Sequence, residues 1–310
     1  MSHSHYAIRN YQSADFDKFV LLNIEAEKLE PTGYYISPQI ITEHLGQLNY
    51  SPEKDLFVVE IAGNLVGYMD VRPELGIGRV ILTCWVHPEH RKKGLASKLL
   101  NYAARRAKEL GAKVAHVNIA ENNIVAKNML ARLGFECIRH FLELRLDMAN
   151  ARWQDIDQTA LGCRYLKRSE EDKLTQIQNL SFAGTWGYNP NTVEEITYRI
   201  NLSNCSPDDV VLVCDRDKVI GYCWTTVNYV RGTEISGRKG RIFMLGVDPN
   251  YRGRGVGKRV LLAGLAYLKS RGIDVVGLTV DSENEAACAL YQAIGFEIRT
   301  RNLWYEKVLD

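Results

Sequence analysis

The sequence predicts a duplicated α/β fold of layered α+β character: two tandem domains, each a mixed, mostly antiparallel sheet flanked by helices. Three observations carry this expectation. The chain of 310 residues is long for a single compact core. A run of residues returns after 161 positions. Within each copy, strand-like and helix-like stretches follow one another in the same order.

The repeat comes first, because a missed repeat spoils any fold assignment. At an offset of 161, Val86 falls on Val247, Pro88 on Pro249, Arg91 on Arg252, Gly94 on Gly255 and Leu100 on Leu261. Asn123 then meets Asn284, Ala126 meets Ala287, and Gly134, Phe135 and Glu136 meet Gly295, Phe296 and Glu297, with no gap between Val86 and Glu136. Upstream, Gly67 and Tyr68 match Gly221 and Tyr222 at an offset of 154, so the second copy holds seven extra residues, expected in the polar, glycine-rich segment 231–240. Repeats of this length are whole domains, which places them at 1–150 and 160–310 with the junction in 149–162.

The second copy reads as a short strand at 164–167, then helical segments between 169 and 202. Strands follow at 210–214 and 219–227, joined across Asp215, Arg216, Asp217 and Lys218 as a hairpin. A third apolar run covers 241–247. From 255 to 270, Val256, Val260, Leu261, Leu265 and Leu268 recur at helical spacing until Gly272 stops them. A strand at 275–280, a helix at 284–294 ended by Gly295, and a last strand at 303–307 complete the copy.

Composition narrows the function. With 46% apolar and 25% charged residues, and 39 basic against 37 acidic, the chain does not resemble a nucleic-acid binder held by bulk charge. No apolar stretch approaches the ~20 residues that cross a bilayer. Residues 1–6 lack the basic and apolar runs of a signal peptide, so a cytoplasmic protein is expected. The seven cysteines are odd in number and form no C-x-x-C pair; reduced core thiols and no metal site are expected. His3 and His5 fit a frayed terminus better than a metal site.

Two segments carry chemistry. In the first, residues 245–262, an apolar strand ends at Pro249 and a basic, glycine-rich turn opens a long helix. Arg252, Gly255 and Gly257 form R-x-x-G-x-G, with Gly253, Arg254, Val256 and Lys258 between and after them. A helix start offers unpaired N–H groups and the positive end of its dipole, so it attracts anions. Glycine lets a pyrophosphate approach the backbone. Neither a dinucleotide-binding G-x-G-x-x-G after a first strand nor a P-loop G-K-[ST] is present. In the second segment, Asn284, Ala287, Tyr291 and Gly295 stand at relative positions 0, 3, 7 and 11, one face of a helix, which aims an amide and a phenol into one cleft. Taken alone, Tyr291 on an apolar helix face fits a core aromatic better.

Together and in this order, the two segments resemble the cofactor-binding motifs of the GCN5-related N-acetyltransferase (GNAT) superfamily. The resemblance implies acetyl-CoA as co-substrate, with its pyrophosphate on the turn at 252–258 and its pantetheine arm along the backbone of Leu245 and Val247. It implies that Val247 N–H polarises the thioester and that Tyr291 protonates the departing thiol. Asn284 and Ala287 belong to the same motif. In the first copy Val86, Arg91, Gly94, Ala96 and Asn123 keep the cofactor pattern, but Leu130 stands where Tyr291 does and donates no proton. The catalytic half is therefore expected to be the second. The acceptor is expected to be a small-molecule amine, or alternatively a peptide N-terminus; a non-catalytic acyl-CoA sensor is the third reading. Monomer and homodimer both remain open. Glu234, Asp281 and Glu283 lie near the cleft in sequence but read as solvated loop carboxylates, so no base is assigned. Trp186 and Tyr188 are candidates for the acceptor mouth. The tandem layout is similar to that of the mycothiol synthases, which carry a carboxylate early in the strand where this chain has Arg241.

Overall fold

A computed structural model describes residues 5–32, 35–151, 162–228 and 238–309. Among them the chain forms two compact units, residues 1–139 with 303–310 and residues 140–302.

The first unit contains β1 (Ala7–Asn10), α1 (Phe16–Leu29), α2 (Pro38–Leu45), α3 (Pro52–Asp55), β2 (Leu56–Ile61) and β3 (Asn64–Glu74). It continues with β4 (Arg79–Val86), α4 (Leu95–Glu109), β5 (Val114–Ala120) and α5 (Ile124–Arg132). β6 (Glu136–Asp147) begins here and passes into the second unit. There follow β7 (Cys163–Tyr165), α6 (Glu171–Phe182), α7 (Val193–Ile200), β8 (Val210–Asp215) and β9 (Lys218–Asn228). β10 (Lys239–Val247), α8 (Val256–Ser270), β11 (Val275–Asp281) and α9 (Glu285–Ile294) complete it, and β12 (Glu297–Val308) returns to the first unit from Leu303.

The sheet of the first unit runs β1-β2-β3-β4-β5-β12 and that of the second β6-β11-β10-β9-β8-β7. Each is antiparallel except for one parallel pair, β4 with β5 and β10 with β11. The expected layering is therefore present, but the units do not coincide with the sequence halves 1–150 and 160–310. The last strand of each repeat completes the other unit's sheet. Period-2 patterning explains why β6 is accepted there. Leu142, Leu144 and Leu146 are buried with Val276, Leu278 and Val280 of β11 and with Val260, Leu261 and Leu265 of α8. Leu303 and Tyr305 of β12 enter the first unit's core beside Val80, Leu82, Leu99 and Ala103. Neither strand's own sequence says which sheet it joins.

The hairpin expected at Asp215–Lys218 is formed, with those two residues paired and Arg216 at φ +53°. The seven extra residues of the second copy divide in two. Glu74 pairs with Arg79 where Asn228 pairs with Lys239, so six of them enlarge the β9–β10 connection, of which residues 229–237 lie outside the described set. The seventh is a bulge in β10 between Ile242 and Met244, absent from the β3–β4 pairing of the first unit. Among the described residues no helix is long and apolar enough to cross a membrane.

Candidate active site

β10 and β11 pair only from Lys239 to Arg241 against Val275 to Gly277, then part. Beyond Arg241 no strand among the described residues pairs with the edge of β10 that faces β11. The direction of its N–H groups follows from one hydrogen bond: Asp248 N–H donates to Ile220 O on β9 at 2.9 Å. N–H groups alternate along a strand, so those of Val247 and Leu245 point the other way, into the gap. β4 and β5 part in the same manner after Ile81 and His116, and His87 N–H donates to Val66 O at 2.9 Å, which turns Val86 N–H toward that gap.

The turn after β10 opens on the cleft end of α8. Gly255 is its N-cap at φ +78°, and Gly94 caps α4 at φ +75°. Only glycine holds such a left-handed position without cost. At the residue before these by two, the second copy has Gly253 at φ +72° and the first has Lys92 at φ +61°, a side chain in a conformation that disfavours one. Arg259 N–H is the first in α8 to reach a helical carbonyl, Gly255 O at 3.0 Å. The N–H groups of Val256 and Gly257 precede it at the helix start, where an anion is favoured. A Cβ on Gly257 would meet only Leu290 Cδ2 at 3.5 Å and Val247 Cγ2 at 3.7 Å. Packing thus admits a methyl there, and Ala96 in the first copy agrees.

The two arginines of the motif differ. Arg252 donates to Ser181 O at the end of α6, at 2.6 Å. Arg91 is engaged in a two-point ion pair with Glu30, at 2.8 and 2.6 Å, which holds that carboxyl below the usual carboxylate range. Arg254 lies over the Tyr251 ring at 5.5 Å.

Tyr291 is buried on α9 with its ring edge-on to Phe296 at 5.7 Å. Burial, with smaller effects from Cys223 and Cys288, pushes its phenol well above the ordinary value, so it stays protonated. Its hydroxyl has no hydrogen-bond partner among the described residues. Leu130, its counterpart, lines an apolar cavity of about 180 Å³ in the first unit together with Thr83, Cys84, Ala96, Asn123 and Ala126.

Several expectations need correction. Asn284 and Asn123 do not project from the helix face; each is an N-cap whose Oδ1 accepts a helix N–H, from Ala287 at 3.2 Å and Ala126 at 3.0 Å. Asp281 is buried, not solvated, and its Oδ1 accepts Glu283 N–H at 3.0 Å. Glu234 lies outside the described residues. Tyr188 is fixed by packing: it stacks on Phe182 at 5.2 Å and donates to Asn179 Oδ1 at 2.7 Å. Trp186 lies against Phe141 at 5.9 Å. One group of side chains among the described residues, His87, Glu89 and His90, gathers ligand atoms within 4.8 Å. There His87 Nδ1 accepts Glu89 N–H at 3.3 Å, the capping role that Asp248 Oδ1 fills for Asn250 N–H at 2.9 Å in the second copy.

Sequence reasoning missed the close approach around Gly246. A Cβ there would stand 2.5 Å from Tyr222 Cε1 and 2.7 Å from Ser181 Cβ. The hydroxyls of Tyr222 and Ser181 are buried without a partner among the described residues. A lone glycine one residue before Val247 was the available signal.

A model described as the acetyltransferase (GNAT) family matches twice, over residues 21–135 and 172–296. The mycothiol acetyltransferase of Amycolatopsis mediterranei (strain U-32) is 30% identical over 250 residues, which span 79% of this chain and 81% of the relative. That of Stackebrandtia nassauensis is 28% identical over 268 residues, 85% of this chain and 86% of the relative. Among solved structures, a GCN5-related N-acetyltransferase from Sphaerobacter thermophilus has a TM-score of 0.71 at 19% identity, covering 98% of this chain and 96% of that one. A tandem GNAT protein from the clavulanic acid biosynthesis pathway also reaches 0.71, at 17% identity and 99% of both chains. At these identities the two structures share the fold.

Proposed function

The chain belongs to the acetyltransferase (GNAT) family, and we propose that its second unit transfers the acetyl group of acetyl-CoA to a small-molecule amine of the mycothiol class for which its relatives are named. One observation carries the choice of unit. The parted strands, the glycine-capped helix start and a buried, protonated phenol coincide only in the second unit. The first unit has the first two and Leu130.

The cleft fits acetyl-CoA. Strand-edge N–H groups at Leu245 and Val247 face the gap, and the N–H groups of Val256 and Gly257 open on the same side of the turn as a phosphate cradle. Acetyl-CoA supplies the activated thioester. Val247 N–H is the donor to the carbonyl oxygen as charge grows there. Holding both reactants in one cleft removes much of the entropic barrier to direct attack. The nitrogen–carbon bond forms as the carbon–sulfur bond breaks, and Tyr291 gives its proton to the departing sulfur. The proton lost by the amine leaves through water and replaces it. Arg252 closes the end of α6 against the turn through Ser181 O. In the first unit, Val86, Arg91, Gly94, Ala96 and Asn123 retain the frame of a cofactor site without the acid. We place the enzyme in the cytoplasm.

The test is release of CoA thiol from acetyl-CoA in the presence of a panel of amines, with peptides as the comparison. Turnover with small amines and none with peptide N-termini is expected. Preference for peptides overturns the choice of acceptor.

A further inference from the structure

The strand exchange brings a carboxylate to the second unit that its own repeat does not encode. Glu143 lies on β6 and pairs across the sheet with Thr279 of β11. Leu142 and Leu144 on β6, and Leu278 and Val280 on β11, point into the core that α8 and α9 cover. Glu143 and Thr279 therefore face the opposite side of the sheet. Phe141, two residues before Glu143, lies on that same side, with Trp186 against its ring at 5.9 Å.

Four side chains meet there. Thr279 Oγ1 donates to Glu143 Oε1 at 2.6 Å, and Asn302 Nδ2 donates to the same oxygen at 3.2 Å. Arg241 donates through Nη1 and Nη2 to Glu143 at 3.3 to 3.4 Å and through Nη2 to Thr279 Oγ1. The guanidinium–carboxylate contacts are long for a charge-assisted pair, which is normally about 2.7–2.9 Å. Among the described residues, Glu143 Oε2 accepts from Arg241 alone. The carboxylate is thus oriented on one oxygen and loosely held on the other, and its side chain is a quarter exposed.

The position is as telling as the chemistry. Arg241 is the last residue of β10 that pairs with β11, so the cluster sits where the two strands part. An arm that runs along β10 from the turn at 252–258 through Val247 and Leu245 leads its acyl end toward this apex. At the matching positions of the first unit, by the repeat offset and the bulge, Ile81, Asn118 and Trp304 stand for Arg241, Thr279 and Glu143. The constellation occurs in the unit that has Tyr291 and not in the one that has Leu130.

We infer that Glu143 is the acceptor-docking carboxylate of the second unit: it receives the cationic group of an amine substrate, while Thr279 and Arg241 hold it in place. The inference rests on the assignment of acetyl transfer to this unit and adds a charge requirement to the acceptor. Arg241 aims a carboxylate borrowed from the other repeat.

The experiment uses the full chain with acetyl-CoA and three amines that are cationic at neutral pH, L-cysteinamide, glucosamine and putrescine, beside 4-methoxyaniline, which is neutral. Wild type is expected to acetylate at least one of the cations. Glu143→Gln should raise KM for that cation about tenfold or more, with a smaller change in kcat and with acetyl-CoA Kd within about twofold. Glu143→Asp should recover part of the loss, and catalysis with 4-methoxyaniline, if it is a substrate, should not change. Thr279→Val, which frees the carboxylate without removing it, should raise KM by a smaller factor and decides the matter if Glu143→Gln does not fold. An unchanged KM in the folded variant overturns docking alone. So does acetylation of 4-methoxyaniline when none of the three cations is accepted. If no amine of any kind releases thiol, the assignment of acetyl transfer falls with it.

Discussion

Replacing Tyr291 with Phe isolates a single proton. The ring is buried and its edge rests on Phe296, so the Phe side chain keeps the packing. The hydroxyl has no partner among the described residues, so its removal leaves no orphaned donor or acceptor there, and stability should change by less than ~1 kcal/mol. Acetyl-CoA Kd should also stay within about twofold, because the phenol acts only as charge develops on sulfur. The loss should fall on kcat, at ~10²–10⁴-fold for a general acid. The assay is single-turnover acetyl transfer to an accepted amine, which separates the chemical step from product release. Leu130→Ala serves as the reference. It removes a buried side chain of the first unit at about 2–5 kcal/mol of stability, yet the fraction that folds should turn over like wild type. A Phe variant that equals wild type in a single turnover would refute the acid role and leave Tyr291 a packing residue.

Other outcomes follow from the same geometry. Gly257→Ala should bind acetyl-CoA nearly as wild type, since a methyl meets only ordinary contacts, whereas Gly257→Leu should weaken binding at least tenfold by filling the cradle; calorimetry with undiminished affinity in the Leu variant would remove the phosphate from this turn. Gly246→Ala forces a Cβ to 2.5 Å from the buried Tyr222 ring and should cost about 1–3 kcal/mol, read as a lower thermal midpoint; an unchanged midpoint would show that β10 has room to move. Arg164, helped by Lys173 and the Lys167 N–H, pulls the Glu170 carboxyl from its ordinary 4.5 to about 2. A depressed carboxyl stabilises the fold above its unfolded value and loses that contribution as pH falls toward 2. Glu170→Gln should therefore flatten the fall in stability of the second unit between pH 4.5 and 2, measured by hydrogen exchange.

The parts of the site that depend on backbone conformation were legible in the sequence. Gly94 and Gly255 at the start of a helix are demanded by φ near +75°, and no other residue type satisfies that without strain. The face of α9 that bears Tyr291 follows from helical spacing alone. What escaped depends on pairing. β6 and β12 carry the same alternation, and alternation tells which residues are buried without telling in which sheet. Glu143 was therefore invisible as a neighbour of Arg241. The one-residue bulge in β10 was counted as loop length, because an insertion leaves no trace of where it is absorbed. Asn284 was misread for a different reason: a residue at the head of a helix satisfies orphan N–H groups before it serves a ligand.

The central claim is that the reacting thioester lies between β10 and β11 of the second unit, beside Tyr291. A crystal structure of the full chain with acetyl-CoA tests it most directly. The account predicts pantetheine along Leu245 and Val247, pyrophosphate on the N–H groups of Val256 and Gly257, and the sulfur about 3–3.5 Å from the Tyr291 hydroxyl. Acetyl-CoA bound only beside Leu130 in the first unit, or a sulfur more than ~6 Å from Tyr291 in the second, would contradict it.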